Sequence, residues 1–388
     1  MKSNRKSVSL SSSIANLWNG LVRFVAAAPI WAKVSALTIL YALLVLSLGM
    51  YASQVISDNP LYINSISYAY GQHLVASSGQ FMQSAWDTTL YASVVQNGYD
   101  HLTVAFFPLY PLLGSGLGKL LDVDPVTALN LISIVASILL AVVLYHWARF
   151  EFKTRKVKAS PWLVLGLVAI FPTALYLFVP YSESLFMLLT AGAFFAYRKE
   201  NYWLAALLAF LSAMTRPQGL LIGFYFFLDY LFAKNWKDWK KLLPAFGAGL
   251  GLLAYMMYLW YTFGNPLEFL MAQQYWGRLS GDPVKMFALT FDRALLWYVP
   301  ITLMGLRFVY RYLDRPMFWY SLAFVLFPVM SGSLQSVSRY ILTCLPLFLG
   351  TAMAWYKLKP AGRGAYIFSC GMLLMFNVVL FFNFYWVA

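Results

Sequence analysis

The stretch Ala105-Phe106-Phe107-Pro108-Leu109-Tyr110-Pro111-Leu112-Leu113-Gly114-Ser115-Gly116-Leu117-Gly118-Lys119-Leu120-Leu121 decides how this chain is laid out. It is apolar, yet Pro108, Pro111, Gly114, Gly116 and Gly118 argue against a regular spanning helix. If it crosses a bilayer, the basic loop at 149–158 lies outside. If it does not, that loop is cytoplasmic, as the excess of Lys and Arg on inner loops requires. We read 105–121 as a juxtamembrane or re-entrant element.

The composition supports a membrane setting. The 388 residues are 61% hydrophobic, 19% aromatic and only 11% charged, whereas a soluble domain carries about 25% charged residues. Fourteen Trp and 27 Tyr suit interfacial belts. The net charge of +14 does not indicate nucleic-acid binding, because the cations sit in short loops between apolar runs. Cys344 and Cys370 lie in apolar stretches without metal-ligand spacing, and His73, His101 and His146 form no zinc motif.

Apolar runs recur at about 33–52, 126–148, 161–179, 184–198, 203–214, 217–233, 242–263, 294–310, 317–331, 340–356 and 365–386. They predict an all-α polytopic membrane protein with about 11 transmembrane helices. Residues 1–32 form a basic cytoplasmic N-terminus, and 33–388 a single membrane-embedded domain with a large first outer loop at 53–125. In this topology most of the 28 basic residues fall inside, and only Lys119, Arg216, Arg278, Lys285, Arg293 and Arg339 fall outside. The outer side also gathers most of the carboxylates, including Asp87, Glu183 and Glu268. No internal repeat is visible.

Trp86-Asp87 places a carboxylate in the polar stretch between the first apolar run and the long hydrophobic remainder. A carboxylate within hydrogen-bond reach can deprotonate an attacking hydroxyl, and an aromatic neighbour can stack on a sugar face. The competing reading is a cap on the short helix that Asp87-Thr88-Thr89-Leu90 would start. Glu183, in Tyr181-Ser182-Glu183-Ser184, reads as a second acid or as a helix-turn residue. Arg216 interrupts an apolar stretch at Thr215-Arg216-Pro217-Gln218-Gly219. A guanidinium in the membrane is costly and is paired or functional, and its planar fork fits phosphate. Its alternative is an internal ion pair with Glu183 or Asp87. Arg339, in Ser338-Arg339-Tyr340, reads either as a second phosphate ligand or as a snorkelling side chain. Gln274, Trp276 and Arg278 follow Phe263-Gly264-Asn265-Pro266-Leu267-Glu268 and suit a sugar or headgroup, or interfacial anchoring.

Taken in order, Trp86-Asp87, Asn97-Gly98-Tyr99, Phe106–Leu113, Tyr181-Ser182-Glu183-Ser184-Leu185-Phe186, Thr215–Gly219, Phe263–Leu267 with Gln274, Trp276 and Arg278, and Ser338-Arg339-Tyr340 resemble the signature of the PIG-V family. That family includes the second mannosyltransferase of GPI-anchor assembly and prokaryotic relatives. The chain departs from it at Pro217-Gln218, where many members carry Ser-Asn.

The resemblance implies a GT-C-type glycosyltransferase fold with its catalytic acid in the first outer loop. It also implies a polyprenyl- or dolichyl-phosphate mannose donor and inversion at the anomeric carbon. On this reading Asp87 is the catalytic base and Glu183 the second acid. Trp86, Tyr91, Tyr99, Gln274, Trp276, Arg278 and Tyr340 are expected to contact substrate, and Arg216 and Arg339 are assigned to the donor phosphate from their charge and not from the resemblance. No metal ligands are assigned, and a divalent cation is left open as a cofactor. The expected acceptor is a glycolipid or protein-linked hydroxyl on the outer or lumenal face. The expected location is the plasma membrane of a prokaryote or the endoplasmic reticulum membrane of a eukaryote. Two rival readings stand beside it: a polytopic transporter or lipid flippase, for which broken helices and membrane arginines are also expected, and a non-catalytic subunit of a glycosylation complex.

Overall fold

The computed structural model describes residues 27–56, 86–233, 237–276, 295–330, 336–385 and 387. These residues are helical, with no strand among them. The helices are α1 (Ile30–Val55), α2 (Asp87–Asn97), α3 (Leu109–Leu121), α4 (Pro125–Thr154), α5 (Pro161–Ala169), α6 (Glu183–Arg198), α7 (Tyr202–Ala213), α8 (Gly219–Ala233), α9 (Leu243–Phe263), α10 (Glu268–Met271), α11 (Leu295–Tyr312), α12 (Arg315–Met330), α13 (Val337–Thr343), α14 (Leu345–Ala354) and α15 (Pro360–Phe382).

Each of the eleven apolar runs contains a helix. Among the described residues, only α1, α4, α15 and the span Trp239–Phe263 are single helices long and apolar enough to cross a bilayer. The α13–α14 pair makes a fifth if taken as one span bent by 66°. The remaining runs are short or broken.

The segment 105–121 folds as α3, with Pro108 as its N-cap and Pro111 in the first turn, where neither proline costs an intrahelical bond. Thirteen residues reach only about 20 Å, short of a hydrocarbon core of about 30 Å. The element is a helix, and it is too short to span.

The core lies where α4 and α6 pack together, flanked by α1, α7 and the 3-10 turn Ala174–Leu177. Helix α9 packs along α7 so closely that a Cβ at Gly247 would lie 2.3 Å from the Ala206 carbonyl oxygen, and one at Gly251 2.4 Å from that of Phe210. Small residues that let backbones approach in this way are how helices associate inside a membrane.

One sequence expectation fails. The run 161–179 is not a single helix: α5 stops at Ala169, and the chain then runs irregularly through Phe171-Pro172 to Pro180 before α6 starts. This segment is buried throughout, so its carbonyls need partners other than water. Distant helices supply them. Ser137 donates to the Leu177 carbonyl, Ser133 to that of Tyr181 at 2.9 Å, and Asn377 to that of Pro172 at 2.9 Å. Tyr41 donates to the Ala169 carbonyl at the end of α5.

Candidate functional site

Two short helices carry Asp87 and Arg339, and each begins at a residue with positive φ. Trp86 has φ +58° immediately before α2, and Ser336 has φ +65° immediately before α13. A bulky residue in the left-handed region costs about 1–3 kcal/mol and is kept where the surroundings require it. At Trp86 the turn sets Asp87 as the first residue of α2.

The Asp87 carboxylate does not cap its own helix. Its Oδ2 accepts from Arg339 Nη1 at 2.7 Å, and Oδ1 has no partner among the described residues. The Asp87 backbone N–H donates to the Tyr181 hydroxyl at 3.2 Å. The reading of Asp87 as a simple helix cap is therefore set aside.

Arg339 is 4% exposed and lies on α13, all of whose residues are buried. Its Nε donates to Glu183 Oε1 at 2.6 Å, and its Nη2 lies 2.6 Å from the same oxygen. The Tyr176 and Tyr181 rings each lie 4.7 Å from the guanidinium carbon, a distance at which ring faces attract a cation. Arg339 is thus paired and enclosed, and it does not snorkel.

Glu183, fully buried in the first turn of α6, also receives Arg216 Nη1 at 2.8 Å. Its Oε1 carries all these contacts, while Oε2 is buried without a hydrogen-bond partner among the described residues. Arg216 lies in the turn between α7 and α8, 3.4 Å from Ser182 Oγ and over the Tyr340 ring at 5.8 Å. That turn closes at Gly219, where a Cβ would meet the Ser212 carbonyl oxygen at 2.4 Å. Four charged groups from four separate parts of the chain therefore form one chain of contacts, Asp87–Arg339–Glu183–Arg216.

The other sequence candidates divide. Tyr91 is buried, donates to Ser182 Oγ at 2.8 Å, and packs edge-on against Phe106 and Tyr110. It braces the cluster from behind. Trp86 and Tyr340 flank the cluster, the first half-buried and the second buried. Tyr99 belongs to a separate aromatic group with Tyr255 and Tyr258, and its hydroxyl donates to the Phe106 carbonyl at 2.8 Å. Gln274 is exposed in the turn Ala272–Trp276; the Trp276 side chain and Arg278 lie outside the described residues.

Sequence reasoning missed Tyr176, Ser182 and Ser133. Pro172 and Pro180, which mark the break holding Tyr176, were the available signal. It also missed His101. The His101 Nδ1 lies 2.8 Å from Glu268 Oε1, and Asn265 donates to Glu268 Oε2 at 2.9 Å, which ties the first loop to the segment after α9.

Asp87 and Glu183 have their charge met by guanidinium groups, and no group of three His, Cys, Asp or Glu side chains stands together among the described residues. This donor set does not fit a divalent cation held by these side chains.

A second charge cluster closes the other end of α6. Arg198 donates to Glu151 Oε1 at 2.8 Å and also contacts Asp314, while Arg155 reaches Glu151 at 2.9 Å and Asp314 at 2.7 Å. The sixteen residues of α6 separate the two clusters by about 22 Å. The basic loop 149–158 therefore lies at the end opposite Asp87.

No protein-family model matches this chain, and no curated protein does. The resemblance to the PIG-V family rests on motif order. Among solved structures, the chain is similar to ArnT from Cupriavidus metallidurans bound to undecaprenyl phosphate, at 14% identity and TM-score 0.53, covering 87% of this chain and 63% of that one. The apo form gives 14% identity and TM-score 0.52, with 86% and 62% covered. A weaker likeness, at 13% identity and TM-score 0.43, is to the archaeal oligosaccharyltransferase AglB from Archaeoglobus fulgidus, covering 88% of this chain and 56% of that one. The chain thus spans somewhat under two thirds of the length of ArnT. The described residues are helical and share the fold of ArnT, a GT-C-type fold, and the chain is an integral multi-pass membrane protein.

Proposed function

We propose that this chain is a membrane glycosyltransferase. It takes a sugar, mannose on the motif order, from a polyprenyl- or dolichyl-phosphate donor and passes it to a lipid- or protein-linked hydroxyl. The observation that carries the reading is the chain of contacts Asp87–Arg339–Glu183–Arg216 at the end of α6 away from the basic loop. Cations gather on cytoplasmic loops, so this reading puts the cluster at the outer or lumenal face. The likeness to a protein solved with undecaprenyl phosphate supports the choice of donor.

In the proposed reaction the acceptor hydroxyl attacks the anomeric carbon from the side opposite the phosphate. Asp87 Oδ1, the oxygen not bound by Arg339, takes the hydroxyl proton. A new C–O bond forms as the bond from the anomeric carbon to the phosphate oxygen breaks, and the phosphate leaves with the electron pair. The configuration at carbon inverts. Arg216, bound to Glu183 through a single nitrogen, offers its remaining N–H groups to the leaving phosphate. Arg339, whose three nitrogens all face carboxylates, holds Asp87 in position. No step runs through a metal ion.

The test is transfer of label from polyprenyl-phosphate [14C]mannose by the purified protein, with a membrane glycolipid extract as acceptor. The proposal expects a new labelled glycolipid or glycan. Label that crosses the bilayer without forming a new glycosidic bond would instead identify a flippase.

A further inference from the structure

We propose that the inner end of α4 forms a binding pocket for the headgroup of an anionic phospholipid. An open cavity of about 380 Å³ lies there, lined by Arg149, Lys153, Lys156 and Lys158 together with Phe152 and Pro161. Pockets for small ligands begin at about 300 Å³. All four cations are exposed, and none has an ion pair among the described residues. The acid nearest in sequence, Glu151, is taken up by Arg155, Arg198 and Trp147.

Topology alone calls for cations on this side of the membrane, but it does not call for four of them round one pocket. Favourable dipole contacts at a helix C-terminus would account for one or two. The backbone fixes one of the four in place. Helix α4 ends in a Schellman turn, in which the Val157 N–H donates to the Phe152 carbonyl at 2.9 Å and the Lys156 N–H to that of Lys153 at 3.2 Å. The left-handed position of that turn, usually glycine, is held by Lys156 at φ +54°. Glu200 and Phe384 hold the same position after α6 and α15, so the turn fixes where Lys156 stands at the pocket, and the four cations round one cavity carry the assignment.

The ligand chemistry follows. The pocket is cationic on one side and apolar at Phe152 and Pro161, and it lies where α4 leaves the membrane and α5 enters it. A phosphodiester headgroup whose acyl chains run up the adjoining helices satisfies both sides. Basic pockets between helices on the cytoplasmic side are suited to such headgroups.

The test is native mass spectrometry of the full chain in detergent with phosphatidylglycerol or phosphatidylcholine added. The proposal expects phosphatidylglycerol to be retained over phosphatidylcholine, and the Lys153→Gln/Lys156→Gln variant to lose that retention by about tenfold or more. The control Lys359→Gln/Arg363→Gln, which removes the same charge elsewhere on the basic side, should change it less than twofold. Lys156→Gly should raise the melting temperature while lowering retention, a combination that a structural role for the lysine would not produce. Equal losses in both double variants would overturn the pocket in favour of diffuse surface charge. Binding of inorganic pyrophosphate without a preference for phosphatidylglycerol would overturn the lipid assignment.

Discussion

Asp87 and Arg339 are 252 residues apart in sequence and 2.7 Å apart in space. The pairing holds one carboxylate oxygen and leaves the other without a partner among the described residues, the arrangement the proposed base requires.

Replacing Asp87 with Asn keeps the shape of the side chain and removes the proton acceptor. Sugar transfer by Asp87→Asn should fall by about 10²–10⁴-fold, the range for a lost general base, in protein that a thermal melt shows to be folded. A purified variant that transfers at the wild-type rate would rule out the base assignment.

Truncating Arg339 leaves Glu183 buried with one partner fewer and Asp87 with none. Arg339→Met should destabilise the fold by about 3–5 kcal/mol, as expected when one member of a buried ion pair is removed. Glu183→Gln should cost a similar amount, because Arg216 loses its anion and Arg339 keeps only Asp87. The double variant Glu183→Gln/Arg339→Met should cost less than the sum. Denaturant unfolding in detergent reads all three, and strict additivity would show that the contact carries no coupling.

Gly219 meets backbone and not a movable side chain, with Ser212 O at 2.4 Å and Ala213 Cα at 2.5 Å from a built Cβ. Gly219→Ala should destabilise by about 1–3 kcal/mol and lower transfer, since the turn that shifts carries Arg216. Gly249→Ala on α9, where nothing lies within 4 Å, should be neutral or slightly stabilising. Parallel thermal melts of the two variants check the contrast.

Asp314 is the titratable anchor at the other end of α6. Burial opposes its charge, but the Arg198 and Arg155 guanidiniums and the Met317 N–H outweigh this and hold its carboxyl below the usual aspartate range. A lowered folded pKa means that the stabilisation is present above the unfolded value of about 3.9, and that it is lost as pH falls through the lower folded value. Asp314→Asn should therefore be less stable at neutral pH, with a shallower decline of melting temperature below about pH 4. An unchanged acid limb would show that Asp314 does not titrate with unfolding.

Much of the fold was legible because apolar runs separated by basic loops reflect the bilayer directly, and α1, α4 and α15 follow them closely. The break between Ala169 and Glu183 was signalled only by Pro172 and Pro180. Its residues are as apolar as a helix, and what allows an irregular path is the set of donors brought by Ser133, Ser137 and Asn377. No local pattern at 170–182 reports partners on α4 and α15. The site was legible as a set of residues but not as a network. Motif order singled out Asp87 and Glu183, and charge in an apolar setting Arg216 and Arg339, whereas spacing could not say whether an arginine faces phosphate or carboxylate. The internal pairing weighed for Arg216 is the one found.

Helix α6 is clamped electrostatically at both tips, by Arg216 and Arg339 on Glu183 and by Glu151 and Asp314 on Arg198. Sliding it along its axis, or rotating it by one residue, would break both grips at once. On the proposed function, α6 serves as a spindle, and an opening that admits a bulky lipid-borne sugar is expected from the parts around it.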